Sequence, residues 1–183
     1  MAVLKWLAVG VCVTALSAGL VLGAAWLLGD PVDKARSLAV AGNIPEALVA
    51  VQKAVESRPN SREARLLQGK LLMQSGQPAR AADAFEAALK LDGQDLTPGY
   101  LAVLAAAKMG GEDGLRRQIA VLRELVGLHP GEQKAWRLLV TALGAAHDYG
   151  NQVSAIYDAG SAGMATGISM GVMPGVARAL GRH

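Results

Sequence analysis

Apolar and polar positions follow two different patterns along the chain. From Trp6 to Leu28 none of the 23 residues is charged. At the helical rise such a segment spans about 34 Å, against a bilayer hydrocarbon core of about 30 Å. After residue 30, apolar and small residues recur three or four positions apart, with charged residues between them, which is typical of amphipathic helices. The two patterns predict a membrane-spanning helix over residues 6–28 and an all-α body after it.

Two indoles lie near the ends of the apolar segment, at Trp6 and Trp26, where the aromatic belt of a membrane helix is expected. The alternative is a cleaved signal peptide, for which Gly23 to Ala25 provides small residues at a cleavage site. We favour an uncleaved anchor, because the apolar run is long for a signal peptide and few charges precede it. The bilayer is then contacted through residues 6–28.

Small residues recur every four positions within this segment, at Ala15, Gly19 and Gly23. This spacing lets two helix backbones approach closely in a membrane. It predicts a packing site for a second transmembrane helix. The alternative is that Gly and Ala are simply common in membrane helices.

The body repeats with a period of 34 residues. Offsetting the sequence by one period aligns small or apolar residues at six positions, and periods of this length are typical of helical repeat proteins. The aligned pairs are Ala35 with Gly69, Leu38 with Leu72, Gly42 with Gly76, Ala47 with Ala81, Val51 with Phe85, and Ala54 with Ala88. A further offset takes Gly76 to Gly110, after which Gly110 to Gly114 is interpreted as a lengthened turn that shifts the frame.

The clearest unit predicts a helical hairpin. Apolar or small residues lie on one face of a helix from Ser61 to Ser75, Gly76 provides the turn, and Pro78 suits the start of the next helix. The second helix, Ala79 to Leu91, places small alanines and Phe85 towards the first.

The segment from Leu67 to Gly76, followed by Ala81 to Asp92, resembles a tetratricopeptide repeat. The resemblance is good from Gly42 to Pro59 and weaker from Thr97 to Pro130. A last unit begins at Gln133, with Trp136 and Leu139 at the family spacing and a second helix from Asn151 to Ala159. Together these segments suggest about three or four repeats.

The resemblance also has departures. Gly93 stands where the family usually has Pro, and the first leading helix, Pro31 to Ala41, is short. Asp30 is expected to cap this helix, with Pro31 at its first position. The predicted organisation is a transmembrane anchor over 1–29, a repeat domain over 30–159 and a Gly- and Met-rich tail over 160–183.

The family resemblance implies a right-handed superhelix. Its concave side, formed by the leading helix of each hairpin, is expected to receive a partner polypeptide. Apolar side chains with scattered cations there would suit a partner segment that carries a few carboxylates. A carboxylate clamp of the family's chaperone-tail receptors is not present, and Trp136 is expected in the core. The predicted groove residues are Arg36, Leu66, Lys70, Met73, Tyr100, Lys108 and Arg137.

Composition and motifs predict neither an enzyme nor a nucleic-acid-binding protein. The charge of +3 and pI near 9.2 come from Lys and Arg scattered among acids, without a basic block. Cys12 is the only cysteine, and the three histidines are far apart in sequence, so no metal site, cofactor or small-molecule substrate is expected.

Three methionines near the C-terminus offer one alternative for metal binding. Met164, Met170 and Met173 could ligate a cuprous ion. Adaptable packing against a partner is favoured instead, because thioether side chains fill irregular apolar contacts well.

The predicted function is that of a membrane-anchored protein–protein interaction scaffold, which assists assembly or maturation of a membrane or extracytoplasmic protein complex. The alternative is a permanent, non-catalytic accessory subunit of a membrane complex, such as a respiratory one. The expected location is the bacterial inner (cytoplasmic) membrane, with one span and the repeat domain in the periplasm.

Overall fold

The computed structural model describes residues 30–164, and all regular structure in that range is helical. Eight α-helices form four successive hairpins, which confirms the predicted all-α repeat architecture. They are α1 Pro31–Val40, α2 Ile44–Ser57, α3 Arg62–Gln74, α4 Pro78–Leu91, α5 Thr97–Met109, α6 Gly111–Leu128, α7 Gln133–Ala145 and α8 Tyr149–Ala159. The predicted anchor, including Ala15, Gly19 and Gly23, lies outside the described residues.

The chain divides into two compact units, with the boundary between Pro59 and Asn60. The described part of the first unit is the hairpin of α1 and α2. The second unit contains the hairpins α3–α4, α5–α6 and α7–α8, and each of its helices packs on the next. Within each unit the helices are joined by short turns, so consecutive helices of a unit run antiparallel.

Asp30 caps the first helix, as predicted. Its Oδ1 accepts a hydrogen bond from the Val32 backbone N–H at 2.9 Å, and Pro31 occupies the first helical turn. The guanidinium of Arg58, directly after α2, also donates to this carboxylate. The Arg58 hydrogen bond, followed by that of Val32, lowers the pKa of Asp30. The start of α1 is therefore tied to the end of α2.

The turns within hairpins use one recurring backbone geometry. Gly42 and Gly76 have φ values of +83° and +72°, and in both turns the next residue bonds back to a carbonyl near the helix end. His147 adopts φ +55° at the corresponding place between α7 and α8. Its N–H donates to the Gly144 carbonyl and the N–H of Asp148 donates to the Leu143 carbonyl, as at the equivalent positions of the other two turns. The predicted turn at Gly76 is confirmed, Gly42 forms the equivalent turn in the first hairpin, and a histidine occupies the glycine position in the last hairpin.

The predicted lengthened turn from Gly110 to Gly114 is wrong. Gly110 and Gly111 reverse the chain, with φ +69° and +62°, and α6 begins at Gly111. Gly114 is buried within α6, where a Cβ would lie 2.5 Å from the Ala106 carbonyl oxygen of α5. This glycine permits close helix packing instead of forming a turn. The frame shift arises because α6 has 18 residues whereas α4 has 14.

The core contains the residues that repeat with the 34-residue period. Ala35, Ala47, Val51 and Ala54 are fully buried in the first unit. Their counterparts in the second unit are also buried, with Phe85 only 1% exposed. Trp136 is buried, as expected, and its indole N–H donates to the Pro130 carbonyl at 2.8 Å.

Two remaining expectations concern the ends of the chain. No helix within residues 30–164 is long and apolar enough to cross a membrane, and the predicted span at 6–28 precedes that range. At the other end, Gly160–Met164 continues α8 as one π-helical turn, with φ +83° at Gly163. The rest of the predicted tail lies beyond the described residues.

Candidate partner-binding surface

The leading helices of the second unit, α3, α5 and α7, carry most of the predicted groove residues. On α3, Leu66, Lys70 and Met73 are spaced four and three residues apart, so they share one side of the helix. Lys70 is exposed, whereas Leu66 and Met73 are half-buried. This side of α3 therefore offers an apolar surface with a cation in its centre.

Tyr100 connects α5 to the beginning of α7. Its hydroxyl donates to Glu132 Oε1 at 3.0 Å, and Lys134 Nζ lies 4.3 Å from the centre of its ring. Burial of the phenol, followed by its interaction with the Glu132 carboxylate, raises the pKa of Tyr100. Tyr100 is thus held by a hydrogen bond and a cation–π contact, which fixes its ring on this surface.

Lys108 lies on the same side of α5 as Tyr100, eight residues later, and is exposed. Leu104 lies between them and is 50% exposed. On α7, Arg137 and Leu138 are both exposed. We call the exposed side of these three helices the leading-helix surface; it is formed by Leu66, Lys70, Met73, Tyr100, Leu104, Lys108, Lys134, Arg137 and Leu138.

Polar contacts place the N-terminal ends of these three helices side by side. Arg62 at the start of α3 donates to Asp95, and the Thr97 backbone N–H at the start of α5 donates to the same carboxylate at 2.8 Å. Tyr100 and Glu132 then connect α5 with α7. Six of the seven predicted groove residues therefore lie on helices that are tied together.

Arg36 is the exception among the predicted groove residues. It lies in the first unit, on α1, where its guanidinium binds Asp33 at 2.9 Å. Both side chains are largely exposed, so this ion pair contributes little to stability.

Sequence reasoning missed Leu104, Lys134, Leu138 and Glu132. Leu104 could have been found, because it lies four residues from both Tyr100 and Lys108 on the helix. Lys134 lies one 34-residue period after Tyr100, which was also a usable signal. Glu132 precedes α7 as its N-cap residue without a side-chain cap bond, and only its contact with Tyr100 identifies its role.

Charge is distributed unequally between leading and following helices of the second unit. The leading helices α3, α5 and α7 contain six Lys or Arg and one Glu, whereas α4, α6 and α8 contain five Lys or Arg and six acids. A basic face of this kind favours an acidic partner and steers its approach.

Some of the charged side chains of the following helices form ion pairs with one another. Arg117 of α6 donates through Nε to Glu86 of α4 at 2.7 Å, and it also binds Asp83 and the Ala79 carbonyl. Burial lowers the pKa of this guanidinium, but its bonds to Glu86 and Asp83 outweigh burial, and the net effect is a raised pKa. Arg117 therefore joins neighbouring hairpins and is not a candidate for partner binding.

No group of three His, Cys, Asp or Glu side chains within residues 30–164 is arranged to hold a metal ion. His129 instead lies in the loop after α6, where its Nε2–H donates to the Gly93 carbonyl at 2.7 Å. Its role there is to connect two inter-helix loops.

Comparison with known proteins is consistent with this architecture. Residues 32–95 match the tetratricopeptide repeat family. No curated protein matches the chain in sequence.

Several solved structures have a similar fold. The crystal structure of MamA protein shares 20% identity with a TM-score of 0.54, over 72% of this chain and 70% of that one. A MamA structure from Desulfovibrio magneticus RS-1 (41-end) shares 21% identity with a TM-score of 0.50, over 75% and 76% of the two chains. YrrB, described as a TPR protein with an unusual peptide-binding site, shares 17% identity with a TM-score of 0.51, over 72% and 66%.

Identities this low establish similarity of fold alone. A tetratricopeptide fold suggests a scaffold for protein–protein interaction. The match over residues 32–95, together with the helical hairpins of residues 30–164, supports a tetratricopeptide repeat protein.

Proposed function

We propose that the chain is a membrane-anchored protein–protein interaction scaffold, which assists assembly or maturation of a membrane or extracytoplasmic protein complex. The observation that carries this proposal is the leading-helix surface, which is basic and partly apolar while the following helices are nearly balanced in charge. Exposed apolar side chains beside unequal charge are typical of surfaces that bind another protein.

The chemistry of the surface specifies the kind of partner. Leu104 and Leu138 provide apolar contact area, and Lys70, Lys108 and Arg137 provide exposed cations around it. The matching partner is a polypeptide segment with apolar side chains and several carboxylates. Binding would cost little side-chain entropy at Tyr100, because its ring is already held by Glu132 and Lys134.

The apolar segment at residues 6–28 supports a location at a membrane. Asp30 caps α1 two residues after that segment ends, so the first hairpin would begin at the bilayer surface. The location we propose is the bacterial inner membrane, with a single span and the repeats in the periplasm. The peptide-binding site described for YrrB supports a polypeptide as the class of partner.

The test is purification of the tagged full-length chain in mild detergent, followed by mass spectrometry of the bound proteins and measurement of their stoichiometry. We expect membrane or extracytoplasmic proteins to copurify in amounts below that of the chain, as incompletely assembled clients do. The triple variant Lys70→Gln, Lys108→Gln, Arg137→Gln should lose them.

The matched control removes the same charge from the following helices, through Arg80→Gln, Lys90→Gln and Arg116→Gln. It should retain the partners. Equal loss in both variants, or retention in both, would contradict a role for the leading-helix surface. A constant stoichiometric ratio to a finished membrane complex would identify a permanent accessory subunit instead of an assembly factor.

A further inference from the structure

An open groove of about 580 Å³ lies between α1 and α2 in the first unit. Leu38, Val49 and Ala50 form its apolar part, and Lys34 and Lys53 flank them. Val49 is 59% exposed, so a β-branched apolar side chain is accessible at the surface of the groove. This groove is separate from the leading-helix surface and plays no part in partner binding as proposed above.

The two lysines differ from the other cations of the described first unit. Arg36 is paired with Asp33, and Arg58 is paired with Asp30. The ammonium groups of Lys34 and Lys53 form no ion pair with any residue from 30 to 164. Within that range, the unpaired cations of this hairpin therefore lie on the two sides of its exposed apolar groove.

Spacing along each helix brings each lysine next to an apolar groove residue. Lys34 precedes Leu38 by four residues on α1, and Lys53 follows Val49 by four on α2, so each lysine stem lies beside an apolar neighbour. Lysine stems commonly cover apolar surface while their ammonium groups extend to a polar phase. The arrangement is that of an interfacial surface, with apolar residues in the middle and cations at the sides.

Because α1 and α2 are antiparallel, both lysines lie near the same end of the hairpin, the end that is next to the predicted span in sequence. Lys34 is in the first turn of α1, and Lys53 is close to the C-terminal end of α2, where Arg58 binds Asp30. The acid of the groove, Glu46, lies near the start of α2 and hence at the other end. At the lysine end, the carboxylates of Asp30 and Asp33 are paired with Arg58 and Arg36, and Glu56 accepts a hydrogen bond from Gln52.

We propose that this groove face of the first unit rests on the anionic surface of the bilayer, with Lys34 and Lys53 bound to phospholipid phosphates and Leu38 and Val49 at the headgroup–acyl boundary. This inference rests on the proposed anchoring through residues 6–28. Only two residues separate that segment from α1, and two residues span at most about 7 Å. The start of α1 is therefore close to the headgroup layer, which is about 5–7 Å thick on each side.

The experiment uses the full-length chain with Cys12→Ser and a single fluorophore attached at Val49→Cys. The protein is reconstituted into vesicles of phosphatidylglycerol and phosphatidylcholine that contain a lipid with a nitroxide quencher in its headgroup region. We expect strong quenching of the label at position 49. A label at Val40→Cys is the matched control and should be quenched much less, because Val40 is 86% exposed and lies about 200° around α1 from Leu38, on the side away from the groove.

Charge is tested with Lys34→Gln and Lys53→Gln together. Each basic residue near an anionic membrane contributes a factor of about five to contact, so the double variant should lower the ratio of bound to free groove face by roughly 25-fold. Arg80→Gln with Lys90→Gln removes equal charge from α4 and should leave the quenching unchanged. Vesicles of phosphatidylcholine alone should give the same loss as the double variant.

Flotation of the vesicles distinguishes failure of the groove contact from failure of the membrane anchor. If the chain floats with the vesicles but positions 49 and 40 are quenched equally, the groove does not contact the bilayer and this inference is wrong, while the anchor stands. Quenching at 49 that does not depend on either lysine or on anionic lipid would also overturn it. A chain that does not float with vesicles would overturn the membrane anchor itself.

Discussion

The ring of Phe85 in α4 occupies the space above Gly69 in α3, so closely that a Cβ on Gly69 would lie 2.4 Å from Phe85 Cε1. Gly69 and Phe85 face each other across the two helices of one hairpin. The missing side chain of one makes room for the largest fully buried side chain of the other. The same relationship recurs between Gly99 and Leu125 in the next hairpin, where a Cβ would lie 2.3 Å from Leu125 Cδ2.

Gly69→Ala is expected to destabilise the protein by about 1–3 kcal/mol, because the added methyl group overpacks the contact with the Phe85 ring. Gly127→Ala is the matched control. Gly127 lies in α6, where an added Cβ would meet no atom within 4 Å, so alanine there should be neutral or stabilise by up to about 1 kcal/mol. Denaturant unfolding of the detergent-solubilised chain measures both; equal effects would contradict the packing argument.

His147→Gly is expected to stabilise the protein by about 0.5–1 kcal/mol. His147 adopts φ +55° in the turn where Gly42 and Gly76 stand in other hairpins, and a left-handed conformation is costly for a residue with a Cβ. The reciprocal variant, Gly76→Ala, should destabilise by about 1 kcal/mol, since its φ is +72° and a Cβ would meet no atom within 4 Å. A lower thermal midpoint for His147→Gly would show that the imidazole contributes more than the backbone conformation costs.

Tyr100→Phe is expected to destabilise the protein by about 1 kcal/mol, through loss of the hydrogen bond to the half-buried Glu132 carboxylate. Tyr157→Phe is the control, because Tyr157 is 65% exposed. Its substitution should leave the unfolding midpoint unchanged. Partner capture by Tyr100→Phe should also weaken, since the ring is no longer held in place, and full retention would show that the hydroxyl does not organise the surface.

The raised pKa of Tyr100 predicts a dependence of stability on alkaline pH. The folded state retains the phenolic proton above pH 10, the ordinary pKa of tyrosine, whereas the unfolded state releases it. Stability contributed by this group is therefore present below pH 10 and is lost as the pH rises towards the folded pKa. The difference in unfolding free energy between the native protein and Tyr100→Phe should shrink over that range, and a constant difference would contradict the assignment.

Asp30→Ala is expected to destabilise the first hairpin by about 0.5–2 kcal/mol, through loss of the N-cap of α1. Asp33→Ala, in the same helical turn, removes only an exposed ion pair with Arg36 and should cost less than about 0.5 kcal/mol. The pKa of Asp30 is lowered, so its contribution is present above the ordinary value of 3.8 and is lost as the pH falls through the folded value. Acid unfolding monitored at a label in the first unit measures this, and equal effects of the two variants would rule out the cap.

Most helix boundaries could be predicted because their signals are local. Asp30 with Pro31 starts α1, and Gly42 and Gly76 end helices in a left-handed conformation, so each signal requires only a few neighbouring residues. The region after Gly110 could not be assigned in this way. A glycine that ends a helix and a glycine that admits a neighbouring helix look alike in sequence. Only the packing of Gly114 against α5 distinguishes them, since a Cβ there would lie 2.5 Å from the Ala106 carbonyl oxygen.

The candidate surface was predictable to the extent that it follows helical spacing. Leu66, Lys70 and Met73 lie together because residues three and four apart share a helix face. The contact of Tyr100 with Glu132 and Lys134 joins different hairpins. Its geometry depends on the distance between α5 and α7 and on the extra turn of α6 that separates them.

The sequence by itself determined the hairpins and the residues they bury, because a 34-residue period of small and apolar residues can be buried only by stacking helices in successive pairs. Tertiary structure decided which polar residues meet across those pairs. Arg62 binds Asp95, Tyr100 binds Glu132, and Arg117 binds Glu86, each across roughly one repeat. Burial depends on the face of a single helix, whereas these contacts depend on how neighbouring hairpins pack.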